Sequence, residues 1–205
     1  MGKIKNVICI EGLGSDSNSY VIDNILVDTG TGMNEGYLAS KFKELGIEKD
    51  DIETIINTHS HYDHTGGNYL IPNAKIAVHE LDAPAVENIE CPLTVTFHHD
   101  IKRHDVDRKI KNGDKFEDFE VIHTPGHTPG GISLFDGEIL ISGDTVFADG
   151  GFGRLDIGGN HDQMKNSLET LEKLDVEYLL PGHGRWVNNG KEHVKLAYNL
   201  FNENF

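Results

Sequence analysis

The apolar positions of this chain follow two periods, and the switches between them predict its elements. "IKNVICIEG" and "SYVIDNILVDTG" are β-branched runs that read as N-terminal strands, with Lys3–Ile10 as one strand and Asp23-Asn24 as a tight hairpin turn. From Asn34 to Leu45 the period lengthens. Tyr37, Leu38, Phe42 and Leu45 then share one face of a helix, which Gly46 should end. "IETIINT" reads as a buried strand, "AKIAVHE" as another, and "DKFEDFEVIHTPGHTPGGISLFDGEILISGD" as a meander turning at Asp136-Gly137. A helix from about Asn160 to Leu174 carries Met164, Leu168, Leu171 and Leu174 on one stripe, and Asn160 with Gln163 makes a capping box. "VEYLLPGHG" is a final strand, and Val194, Ala197, Tyr198 and Phe201 mark a C-terminal helix.

Strands and helices therefore alternate in both halves, with no repeat or linker between them. The expectation is an α/β fold in one domain, residues 1–205, with two sheets face to face and helices outside. A content of 37% hydrophobic and 25% charged residues in 205 fits such a core. The formal charge of −16 disfavours phosphate backbones and anionic membranes as partners, which leaves a small-molecule substrate and room for a homo-oligomer. No long apolar run or leader-like segment precedes the first strand, so a cytoplasmic protein is expected. Cys9 and Cys91 lie in no CxxC spacing and are expected to be buried apolar residues. Lys102–Lys111 is locally basic but interleaved with aspartates, and reads as a solvated loop.

"THSHYDHTGG" changes the picture. His59 and His61, two apart at a strand end, can face one cation; Asp63 and His64 point elsewhere, toward a second. Three later positions share one context, a strand end flanked by Gly and often Pro: His127 in "TPGHTPG", Asp144 in "SGDT" and His183 in "PGHG". The other histidines, at 79, 98, 99, 104, 123, 161 and 193, lack it and read as surface or hydrogen-bonded residues.

"HSHYDH", followed by His127, Asp144 and His183 in order, resembles the HxHxDH signature of the metallo-β-lactamase fold, over nearly the whole chain. The resemblance implies a four-layer αββα sandwich with two divalent ions, zinc first and iron or manganese as alternatives. It places His59, His61 and His127 on one ion and Asp63, His64 and His183 on the other, with Asp144 bridging and Asp63 also catalytic. An aspartate at 144, where the commonest zinc β-lactamases have cysteine, argues against β-lactam hydrolysis. Asp28 in "LVDTG" matches a family aspartate beside the metal loop, or is only a turn residue.

Two ions about 3.5–4 Å apart can share a hydroxide and polarise a carbonyl. "GDTVFADGGFGRLDIGGN" resembles the glyoxalase II-like branch, which hydrolyses thioesters, and Arg154 there either contacts an anionic substrate or pairs with Asp156. Only 22 residues follow His183, too few for the glutathione-binding helical domain of that branch, so another thioester, ester or lactone is expected. The alternative is a persulfide dioxygenase with one iron on His59, His127 and Asp144. A nuclease ranks below both. Residues 89–111 lack periodicity and read as a lid or a surface insertion, with no ligand role for His98 and His99.

Overall fold

The computed structural model describes residues 2–88 and 103–204. Its contacts divide the chain into two compact units, one of Met1–Val78 with Ala83–Lys109, the other of His79–Asp82 with Ile110–Phe205.

One sheet, drawn almost wholly from the first unit, has its strands in chain order: β1 (Gly2–Ile4), β2 (Val7–Ile10), β3 (Ser19–Ile22), β4 (Ile25–Val27), β5 (Thr54–Ile56), β6 (Lys75–His79) and β7 (Arg108–Ile110). The stretch expected as one strand, Lys3–Ile10, is a hairpin instead. It turns at Lys5, whose φ of 53° is the left-handed conformation that two-residue turns require. Nothing in "KIKNV" announces that turn, because lysine ordinarily avoids such a φ. The Asp23-Asn24 turn forms as expected, with Asp23 at φ 49° and Ile22 paired to Ile25.

Strands β4, β5 and β6 run parallel. Parallel pairing needs a crossover, and α1 (Glu35–Leu45) supplies the first, burying Leu38 and Phe42 and ending at Gly46 with φ 70°. Leu38 and Phe42 pack in one core cluster with Ile10, Val21, Leu26, Ile55, Ile76 and Val78. Cys9 is a buried free thiol whose pKa is pushed up to about 12 by that burial, while Cys91 and His98–His99 lie outside the described residues.

The second unit carries a sheet in the order β13-β12-β11-β10-β9-β8: β8 (Lys115–Phe116), β9 (Phe119–His123), β10 (Ile132–Phe135), β11 (Ile139–Gly143), β12 (Tyr178–Pro181) and β13 (Val187–Asn188). β8 to β11 form the expected antiparallel meander, and Asp136 closes its last turn by accepting the N–H groups of Glu138 and Ile139. β11 and β12 are parallel, joined through a helix that we number α4 (His161–Glu172) after two short helices, α2 (Tyr62–Thr65) and α3 (Ala83–Asn88). Met164, Leu168 and Leu171 of α4 meet Val194, Ala197 and Phe201 of α5 (Gly190–Asn204) in one cluster with Leu140 and Leu179.

Half of the expected capping box forms. The Asn160 side chain accepts the Gln163 N–H at 2.9 Å, but the Asn160 N–H donates to Gly126 O at 2.7 Å, which ties the helix to a neighbouring loop. No helix among the described residues is long and apolar enough to cross a membrane.

Asn160→Ala removes the one side-chain acceptor at the start of α4 and should cost about 1 kcal/mol. Urea unfolding is expected to show a lower midpoint with an unchanged slope; a wild-type midpoint would deny the cap any weight.

Candidate metal centre

The ligand candidates follow strand ends in both units. His59 comes three residues after β5, and His61 stands immediately before α2, which carries Asp63 and His64. In the second unit His127 lies in the loop between β9 and β10, Asp144 follows β11 directly, and His183 comes two residues after β12. A bulge sits just before Asp144: the β11–β12 register slips between Ile141 and Gly143. Such a bulge bends a strand end and re-aims the next side chain.

In the first unit, the imidazoles of His59 and His61 lie edge to face with centroids 4.7 Å apart, and His59 and His64 lie 4.0 Å apart. All three are buried. Beneath them sits Asp28, 2% exposed at the end of β4, with its backbone at φ 57°. Its Oδ1 accepts the Thr58 N–H at 2.8 Å, and its Oδ2 accepts the Thr58 hydroxyl at 2.7 Å. The same Oδ2 lies 2.7 Å from His64 Nδ1. A carboxylate only accepts, so His64 keeps its proton on Nδ1 and offers a lone pair at Nε2.

Thr58 extends this control to His59. Its single hydroxyl proton goes to Asp28, so toward His59 Nδ1, 3.1 Å away, it acts as acceptor. Both Nε2 atoms are thereby left as bases. His64 Nε2 faces Asp63 Oδ2 at 3.9 Å, too far for a hydrogen bond and suited to two donors sharing an ion. Asp28 is thus more than a turn residue: it fixes the ring of His64.

In the second unit, His127 Nδ1 donates to the backbone carbonyl of Arg154 at 2.7 Å. In the neutral ring Nε2 then presents its lone pair toward Asp144 Oδ2, 3.4 Å away, and His183 Nε2 lies 3.7 Å from that same oxygen. A lone pair held against a carboxylate oxygen is repulsive unless a cation or proton lies between them. The donor set, imidazole nitrogens and carboxylate oxygens without thiolate, fits zinc, iron or manganese.

The loop after Asp144 meets both Asp144 and His127 at Gly153. Gly153 N–H donates to Asp144 O at 2.9 Å, and a Cβ there would stand 2.2 Å from that oxygen and 2.7 Å from His127 Nδ1. Only glycine fits this crossing. The next residue, Arg154, contributes its carbonyl to His127, while its guanidinium makes a bidentate pair with Asp156 at 2.7 and 3.0 Å. That hydrogen bonding holds the Asp156 carboxyl below its ordinary range. Both side chains are exposed, so of the two roles expected for Arg154 the structure holds the pair. Its carbonyl was not legible, since a backbone acceptor has no residue type.

The family model for the metallo-beta-lactamase superfamily matches residues 12–183. The chain is 36% identical over 194 residues to a probable metallo-hydrolase of Methanocaldococcus jannaschii, covering 87% of this chain and 92% of that protein. It is 36% identical over 130 residues to a hydroxyacylglutathione hydrolase of Idiomarina loihiensis, covering 62% of this chain and 44% of the enzyme. Among solved structures it matches TTHA1623 in a di-iron-bound form with TM-score 0.76 and 26% identity, over 90% of this chain and 96% of that one. A subclass B3 metallo-β-lactamase of Bradyrhizobium japonicum aligns with TM-score 0.77 at 24% identity, over 99% and 90% of the two chains. The fold class expected from the sequence is the one these structures share.

Asp28→Asn keeps the size of the side chain but sets an amide against Thr58 and His64, so the ligand tautomers are no longer enforced. Metal affinity should fall by about 10- to 100-fold, the usual cost of losing such a partner. Competition with a chromophoric chelator measures it, and wild-type affinity would refute the orienting role.

Proposed function

Because the chain belongs to the metallo-β-lactamase superfamily, we propose that this metallo-hydrolase works with two divalent ions on a thioester or a related ester or lactone. The observation that carries the two-ion reading is the position of Asp144. One of its oxygens stands 3.4 Å from His127 Nε2 and 3.7 Å from His183 Nε2, two histidines that the family pattern would put on different ions. His59, His61 and His127 would hold the first ion and Asp63, His64 and His183 the second, with Asp144 common to both. Bound ions would supply Lewis acidity toward a carbonyl and make water a nucleophile at neutral pH.

The chain's own groups do the rest. Asp28, directly and through Thr58, keeps His64 and His59 in the tautomer that presents Nε2, and the Arg154 carbonyl does so for His127. Asp63, with its side chain 14% exposed against 9% for Asp144, would orient the attacking water and take its proton. The thioester preference draws on the hydroxyacylglutathione hydrolases among the relatives, of which the chain spans about half the length.

The one-iron dioxygenase would use His59, His127 and Asp144 alone. It leaves unexplained why a buried carboxylate fixes the tautomer of His64, a member of the other set. The di-iron form of a relative supports a pair of ions and keeps iron as an alternative to zinc.

Protein purified without added metal should carry two ions per chain, cleave an acyl thioester or lactone, and consume no oxygen with glutathione persulfide. His59→Ala and Asp144→Ala should each lose metal and more than about 100-fold in activity, exceeding the loss of an outer partner. A single iron with rapid oxygen uptake and no ester cleavage would replace this reading with the dioxygenase.

A further inference from the structure

The turn His79–Asp82, between β6 and α3, is closed by the Asp82 N–H donating to His79 O at 2.9 Å. It supplies no ligand, yet it grips the loop that does. Asp82 is 1% exposed, and its Oδ1 accepts the Gly130 N–H at 2.6 Å. A Cβ on Gly130 would come within 2.6–2.7 Å of the Asp82 N, Cβ and Cγ atoms, so the two backbones meet only because residue 130 is glycine.

The adjacent residue of the loop is held from the same side. His79, 4% exposed, stacks flat on His123 with centroids 4.1 Å apart and planes 8° from parallel. His123 Nε2 in turn lies 2.9 Å from Pro129 O, and the His123 N–H donates to Asn112 Oδ1 at 2.9 Å. Burial first, and then His123, pushes the His79 imidazole below its usual range, which favours a neutral stack.

The loop is pinned on its other side as well. Pro125 O accepts the Ser167 hydroxyl at 2.6 Å, and Gly126 O accepts the Asn160 N–H at 2.7 Å. His127 stands between these two sets of anchors. On the α4 side the anchors precede it; on the side of the turn they follow it by two and three residues.

We propose that Asp82 is a positioning residue for His127, fixing the far side of the ligand loop and so setting the affinity of the ion that His127 holds. The inference rests on the reading of His127 as a metal ligand. A buried carboxylate accepting an N–H makes a stronger bond than a neutral acceptor, and its loss leaves a buried amide without its partner. Ligands lose affinity when their supports let them drift by more than about 0.5 Å.

The test measures zinc affinity and stoichiometry of the full chain by competition with a chromophoric chelator, beside the thermal midpoint of the metal-free protein. In Asp82→Ala one of two ions should bind about 10- to 100-fold more weakly, the other holding near wild type. Asp82→Asn, which keeps an oxygen for the Gly130 N–H, should recover most of that loss. Unchanged affinity for both ions in Asp82→Ala, with only a lower midpoint, would reduce Asp82 to a structural residue. So would an Asn variant as weak as the Ala variant. A wild-type chain that binds no zinc, iron or manganese would instead overturn the metal reading beneath the proposal.

Discussion

An imidazole presents the Nε2 lone pair to a cation only while its ring proton sits on Nδ1, and this chain commits buried acceptors to holding it there. Asp28 stands at the centre of it. Its two oxygens accept from the Thr58 N–H, the Thr58 hydroxyl and His64 Nδ1, and Thr58 relays the constraint to His59. One buried carboxylate thus sets the protonation of a histidine from each proposed ligand set. Leaving it without these donors would be costly, which makes the constraint self-enforcing. In the second unit a peptide carbonyl, that of Arg154, performs the same task for His127.

The fold explains why these groups are available. β4, β5 and β6 are parallel, so Asp28 and the His59–His64 segment leave the same end of one sheet. β11 and β12 are parallel too, and Asp144 and His183 follow their ends in the same way. Strand ends in α/β folds offer unpaired backbone and short loops, the usual setting for ligands and catalytic groups. The family match runs from residue 12 to residue 183, through both units.

Much of this was legible from residue types. The stripe of Leu38 and Phe42 and that of Met164, Leu168 and Leu171 fixed two helices, and Gly46 marked an end, because side-chain burial is written in period and composition. The ligand candidates stood out because each is a donor residue beside a strand end and small residues. What stayed hidden was carried by backbone. A left-handed lysine at position 5 and the carbonyl of Arg154 have no signature. The Asn160 N–H goes to Gly126, a tertiary contact that displaced half of the capping box. Asp82 resembles any turn aspartate until its partner, Gly130, is seen to be 48 positions away.

The central claim is that Asp144 joins two cations. Anomalous diffraction from crystals of the metal-loaded protein, collected at the absorption edge of the bound element, tests it without reference to any substrate. Two peaks are expected, each about 2.0–2.2 Å from the Asp144 carboxylate, one also beside His127 and the other beside His183. A single peak, or two peaks that leave Asp144 outside both coordination shells, would contradict the account.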